Sequence, residues 1–209
     1  MSALDRLRLY LGECPLVAII RGISPDEAEA IGDAIFEAGI RIIEVPMNSP
    51  EPLKSIEKLA VRFGDRALVG GGTVLKVGDV ANVRASGGRL IVSPNTNTDV
   101  VAAAVSEGLV SMPGYFTPSE AFAALDAGAT ALKLFPAEAA SPQVLKAQRA
   151  VISEDVPIIV VGGVSRENMR PWIDAGANGF GLGSGLYKPG QSAAETAAKA
   201  RAYVAGLRA

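Results

Sequence analysis

Histidine is missing from this sequence altogether, and cysteine occurs once, at Cys14. Without histidine there is no Ser-His-Asp triad and no His-ligated zinc or iron centre. A lone cysteine rules out an intrachain disulfide. Cys14 stands before Pro15 and an apolar strand, where a small structural hydrophobe is the expected role. Aromatic residues make up only 5% of the chain, and the basic residues are scattered rather than clustered. With a formal net charge of −2, this leaves neither an electrostatic nor a stacking reason to expect a nucleic-acid or membrane partner. No apolar stretch approaches the ~18 consecutive residues of a membrane span. The opening "MSALDRLRLYLGECP" has no continuous apolar segment of the signal-peptide kind. A soluble, cytoplasmic protein is expected.

What is present is a large apolar fraction, 49% of 209 residues, spread evenly along the chain. That suits one α/β domain over residues 1–209, with no linker or low-complexity run to divide it. After an amphipathic segment near Ala3 to Leu11, one unit repeats. "LVAIIRG" reads as a strand, followed by a helix with Ser24 at its N-cap, Pro25 at its first position and Gly39 at its end. "IRIIEVPM", "ALVGGGTV", "RLIVSPN", "LVSMPGY", "TALKLFPAE", "VPIIVVGGV" and "ANGFGLGSGLY" are the following strands. Each precedes a helical pattern: Pro50 to Phe63, Val77 to Ala85, Thr98 to Glu107, a Thr117/Glu120 capping box, Ser141 to Ile152, Arg166 to Ala175, and the C-terminal "SAAETAAKARAYVAGL". The helix ends repeat too, as "EAGI", "SEGL" and "DAGA" twice. Strand–helix units in this number predict a compact (β/α)8 TIM barrel with an N-terminal helix, an open doubly wound sheet being the less economical arrangement.

A barrel of this kind carries its active site at the C-terminal ends of its strands. There the sequence holds an anomaly: Lys133 lies inside the apolar run "ATALKLFPAE". Period-two alternation puts Ala131, Lys133 and Phe135 on one face, and on the second strand Ile42, Glu44 and Pro46 on one face. Lys133 and Glu44 are therefore expected to face each other across the barrel interior. Two roles fit this pattern. They form a structural ion pair, with the lysine snorkelling toward the strand end, or they are a desolvated amine nucleophile and a carboxylate for proton transfer. Glycines ending the seventh and eighth predicted strands, in "VVGGVS" and "GLGSG", fit either tight turns or backbone N–H groups that bind a phosphate, with Ser184 adding a hydroxyl. "GGGTV" with Thr73 suits a carboxylate, and Arg21 suits either an anionic oxygen or a strand-end salt bridge.

Taken together, "RGI" at 21–23, "IEVPMNSP" at 43–50, "GGGTVL" at 70–75, "SPN" at 93–95, "PGYFTPSEAF" at 113–122, "LKLFPAE" at 132–138, "VGGV" at 161–164 and "GLGSGLY" at 181–187 resemble the 2-keto-3-deoxy-6-phosphogluconate/phosphogalactonate aldolases. The likeness is collinear over nearly the whole chain. It implies a class I aldolase, usually trimeric, that works without a metal or cofactor on a phosphorylated 2-keto-3-deoxy sugar acid, with pyruvate and glyceraldehyde 3-phosphate as products. It implies Lys133 as the Schiff-base lysine and Glu44 as general acid/base. Arg21 and Thr73 would hold the pyruvoyl end with Phe135 packing nearby, and Gly163, Gly183 and Ser184 the phosphate. Asn48 and Ser49 after the glutamate, and Val161 before the glycine pair, resemble the phosphogalactonate branch, whose substrate differs at C4. The phosphogluconate branch, a dual-specificity form and a sugar-phosphate-binding barrel without turnover are the alternatives. Gly71 stands where alanine is common in the family, a change that removes no functional group.

Overall fold

The structure is a computed structural model describing residues 2–207. Helix α1 (Ala3–Glu13) precedes β1 (Leu16–Ile19), α2 (Pro25–Glu37), β2 (Ile42–Pro46), α3 (Pro52–Phe63), β3 (Leu68–Gly72), α4 (Val77–Ala85), β4 (Leu90–Val92) and α5 (Thr98–Ser106). The second half runs β5 (Val110–Met112), β6 (Gly114–Tyr115), α6 (Pro118–Asp126), β7 (Leu132–Leu134), α7 (Pro142–Arg149), β8 (Ile158–Val161), α8 (Met169–Asp174), β9 (Gly179–Leu182) and α9 (Ala193–Gly206). All strand pairs are parallel, in the order β5-β4-β3-β2-β1-β9-β8-β7-β6.

The two ends of that order are neighbours in the chain. β5 and β6 are the halves of the single predicted strand "LVSMPGY", divided at Pro113, which has no N–H to give to a ladder. Both halves still bond to the segment around β7: the Ala131 N–H donates to the Ser111 carbonyl at 3.1 Å and the Lys133 N–H to the Pro113 carbonyl at 2.9 Å. The sheet thus closes into the expected barrel, with nine strand segments among the described residues in place of eight.

Side-chain alternation sorts the strands into two apolar layers, as a barrel requires. Leu16, Ala18, Ile43, Val45, Leu132 and Leu134 pack outward against the helices. Val17, Ile19, Ile42, Leu90, Ala131 and Ile159 pack into the interior, where Leu7, Tyr10 and Leu11 of α1 join them. At roughly 1.5–3 kcal/mol per buried aliphatic side chain, the two layers dominate the stability.

Most helices start on the predicted residues. Ser24 and Thr117 form capping boxes, and the Ser141 side chain accepts from the Val144 N–H. Several boundaries differ from the expectation, those of α3, α7 and α8 among them. α3 begins at Pro52 because Glu51 is left-handed, with φ 39°. α7 ends at Arg149, before the expected Ile152. α8 begins at Met169, not Arg166, because Asn168 holds the preceding segment as a turn: its Oδ1 accepts from the Ser165 N–H at 2.9 Å and its Nδ2 donates to the Gly163 carbonyl at 2.8 Å. Among the described residues no helix is long and apolar enough to cross a membrane.

Candidate active site

At the C-terminal ends of the strands lies a cavity of about 670 Å³, within the size range of small-molecule sites. Arg21, Thr73, Lys133, Phe135, Val161, Gly163, Gly183 and Ser184 all line it. Glu44, the remaining residue expected in the site, does not line the cavity but lies in the barrel interior, close enough to Lys133 and Arg21 for both charges to act on it.

Lys133 sits in the middle of β7, in register with Gly114 on one side and Ile159 on the other. Only 6% of the residue is exposed, and Nζ lies 4.9 Å from the centroid of the Phe135 ring. Burial holds its pKa below the usual amine range, with Arg21 adding to the effect and Glu44 opposing it. Glu44 occupies β2 between Ile19 of β1 and Gly70 of β3 and is 2% exposed. Burial pushes its carboxyl up, against the pull of Lys133 and Arg21. For both groups desolvation outweighs mutual attraction, so the pair is driven toward its neutral forms.

The structural ion pair raised as an alternative is not formed: among the described residues Lys133 and Glu44 make no direct salt bridge, and Glu44 Oε2 is buried without any hydrogen-bond partner. An orphaned carboxylate oxygen costs about 1–3 kcal/mol or more. The barrel nonetheless makes room for it. A Cβ on Gly72 would lie 2.6 Å from Glu44 Oε2, so glycine at this point of β3 is what admits the carboxylate.

Arg21 follows β1 and, among the described residues, is held by neutral acceptors and not by a carboxylate. One Nη donates to Asn48 Oδ1 and the other to Thr73 Oγ1 at 3.3 Å. Its charge therefore remains available to an anion. Thr73 is left-handed, with φ 55°, an unfavourable state for a β-branched residue and one that concentrates at functional sites. The Ser49 hydroxyl accepts from the Gly22 N–H at 2.9 Å and ties the turn after β2 to the turn after β1. Asn48 and Ser49 thus act on the site through Arg21 and Gly22.

On the opposite side, Gly162 and Gly163 have φ of 112° and 61°, a conformation that disfavours any side chain. They also lie under Glu138, whose Oε2 would be 2.0 Å from a Cβ on Gly162. Val161 packs against Gly181, where a Cβ would meet Val161 Cγ2 at 2.6 Å. Gly185 leaves space for the hydroxyl of Tyr203, which donates to the Val164 carbonyl at 3.2 Å. Two charged residues in the wall, Glu138 and Lys188, were not expected in the site. Their positions beside the "FPA" and "GLGSGLY" blocks are the signal that points to them.

A parallel βα barrel with a desolvated lysine opening onto a cavity at its C-terminal mouth and a desolvated glutamate in its interior, with an uncommitted arginine and glycine turns at the mouth, has the constitution of a class I aldolase. The chain belongs to the KDPG and KHG aldolase family, whose model matches residues 8–200. It is 48% identical over 194 residues to the 2-dehydro-3-deoxy-6-phosphogalactonate aldolase of Escherichia coli (strain K12), covering 93% of this chain and 95% of that one. A probable 2-dehydro-3-deoxy-6-phosphogalactonate aldolase of Rhizobium meliloti (strain 1021) is 46% identical over 202 residues, 97% and 95% of the two chains. The solved structure described as native KDPGal superposes with a TM-score of 0.92 at 48% identity, covering 94% of this chain and 95% of that chain.

Proposed function

We propose that this aldolase reversibly cleaves 2-dehydro-3-deoxy-6-phospho-D-galactonate to pyruvate and D-glyceraldehyde 3-phosphate, with residues 1–209 acting as one barrel domain. The observation that carries the reading is Lys133, a buried amine fixed on β7 and opening onto the cavity. Its lowered pKa supplies the free base that a carbonyl nucleophile must be. Nζ attacks the C2 ketone, and loss of water from the carbinolamine leaves an iminium that withdraws electrons from C3. Glu44, acting through a water, takes the C4 hydroxyl proton. The C3–C4 bond then breaks, its electron pair forming the enamine while C4 leaves as an aldehyde. Protonation at C3 and hydrolysis of the iminium release pyruvate and restore the amine. Arg21 and Thr73 bind the substrate carboxylate, Phe135 packs on the pyruvoyl carbons, and the turns at Gly163, Gly183 and Ser184 take the phosphate. The reading extends to a homotrimer in the cytoplasm, supported by the family likeness.

Borohydride with pyruvate should trap a single covalent adduct, mapping by mass spectrometry to the peptide that contains Lys133. Labelling of Lys146 or Lys188 in its place, or no label at all, would overturn the Schiff-base assignment.

The choice of C4 epimer rests on Val161, which ends β8, lines the cavity and directly precedes the glycine pair. An apolar side chain there offers no hydrogen bond to a C4 hydroxyl directed at it. Threonine has nearly the same shape and does offer one, although burying a hydroxyl has its own cost. Wild type should therefore favour the galacto substrate, and Val161→Thr should move the kcat/KM ratio toward the gluco epimer roughly tenfold, the ~1.4 kcal/mol of a modest hydrogen bond. Kinetics with both epimers decide the matter. An unchanged ratio removes Val161 from the argument, and a wild type that prefers the gluco epimer overturns the substrate assignment.

A further inference from the structure

The turns that the aldolase reading assigns to phosphate offer backbone N–H groups and one hydroxyl, but no formal positive charge. Arg21 is assigned by the same reading to the substrate carboxylate, beside Thr73, and Lys133 is buried and held toward its neutral form. Among the described residues the cavity's remaining cation is Lys188, an exposed residue four positions beyond Ser184 on the loop after β9. Among the described residues its ammonium engages no carboxylate and no carbonyl. Lys199 on α9, by contrast, is committed to Glu195 at 2.8 Å and to Gln191 at 2.6 Å.

The backbone beneath Lys188 is held from several sides. The Gln191 N–H donates to the Lys188 carbonyl at 3.0 Å, while Gln191 Nε2 donates to the Leu186 carbonyl at 2.7 Å and to Thr196 Oγ1 at 2.8 Å. Upstream, the Leu186 and Tyr187 N–H groups both donate to the Gly183 carbonyl, at 2.9 and 3.1 Å. Downstream, Pro189 packs on Gly22, where a Cβ would lie 2.6 Å from the proline ring. The side chain therefore springs from a fixed point in the same loop as Gly183 and Ser184, while the carboxylate of Glu138 lines the cavity as an opposing charge.

We infer that Lys188 is a specificity-determining residue of this site: it supplies the positive charge that selects a substrate or product ending in a phosphate dianion over one ending in a free hydroxyl. The inference rests on the aldolase reading above. A lysine acts on phosphate as a point charge. From an exposed position its contribution is modest, screened by salt, and expressed in the affinity for the phosphorylated partner more than in turnover.

The test runs the reaction toward condensation, with pyruvate and either D-glyceraldehyde 3-phosphate or unphosphorylated D-glyceraldehyde as acceptor. Lys188→Gln should lower the ratio of kcat/KM for the phosphorylated over the unphosphorylated acceptor on the order of three- to tenfold, mainly through KM. Wild-type KM for the phosphorylated acceptor should rise with ionic strength more steeply than that of the variant. Lys188→Arg keeps the charge and should recover most of the ratio. An unchanged ratio in Lys188→Gln, equal losses on both acceptors, or an arginine variant that behaves like the glutamine one would overturn the assignment. Borohydride trapping of pyruvate on the same samples separates the two levels: an adduct at Lys133 with an unaltered acceptor ratio defeats the Lys188 inference alone, whereas no adduct in wild type defeats the aldolase reading beneath it.

Discussion

Replacing Lys133 by methionine should abolish turnover, eliminate borohydride trapping of pyruvate, and raise the melting temperature. The first two outcomes follow if Nζ is the nucleophile. The third follows from the surroundings of the amine. Lys133 is 6% exposed, and among the described residues its Nζ has no carboxylate within ion-pair distance to repay desolvation, only the Phe135 ring 4.9 Å away. Methionine fills a similar volume with a thioether that has little need of water. Removing the desolvated amine should gain roughly 1–3 kcal/mol, or about 2–10 °C for a chain of this size. The pH dependence has a definite sign. Because folding lowers the Lys133 pKa from 10.5, the unfolded chain binds more protons than the folded one below that value. Wild-type stability therefore rises with pH toward 10.5, and the advantage of Lys133→Met should shrink over the same approach. Calorimetry between neutral pH and pH ~10 measures this. A marked loss of stability in Lys133→Met would mean that the lysine is a structural counter-charge to Glu44 after all.

Lys133 was legible in the sequence because it is a single charge in an apolar strand, and Glu44 because alternation on β2 puts it on the inward face with Ile42. Alternation reports a face, however, and not a separation. It left a direct ion pair as open as two unpaired groups, and only packed neighbours distinguish them: Gly72 admits the carboxylate and Phe135 receives the amine. The barrel itself followed from the repeated strand–helix unit. The break at Pro113 did not, although proline carried the signal, because β5 forms its ladder with β4 and β6 with β7, and pairing is a long-range property. Asn168 shortened α8 through two side-chain bonds to a loop that helix propensity does not see. Glu138 and Lys188 look in the sequence like ordinary solvated charges; both become part of one wall only when the loops after β7, β8 and β9 converge.

Glu44→Gln should lower kcat by roughly 10²- to 10⁴-fold, the range expected for loss of a positioned general base, while leaving the lysine able to trap pyruvate. The amide retains the shape of the carboxylate, so the space beside Gly72, where Oε2 lies 2.6 Å from a hypothetical Cβ, remains filled. What it removes is the atom that the proposed mechanism makes the acceptor of the C4 hydroxyl proton. The effect on Lys133 runs in the helpful direction: the Glu44 charge opposes the lowering of the lysine pKa, so without it the amine is at least as much in its free-base form. Covalent capture of pyruvate should therefore reach the same end point as in wild type even where cleavage is nearly lost, and this split places Glu44 in proton transfer rather than in amine activation. Stability supplies an independent check. Folding raises the Glu44 pKa above 4.5, so the folded chain binds more protons than the unfolded one above that value, and wild type loses stability as pH climbs through the raised pKa. Glu44→Gln carries no such penalty and should gain on wild type from pH ~4.5 upward, with the difference levelling off once the wild-type carboxylate is ionised. A kcat loss below tenfold, or disappearance of the pyruvate adduct together with activity, would assign Glu44 to holding the site together rather than to moving the C4 proton.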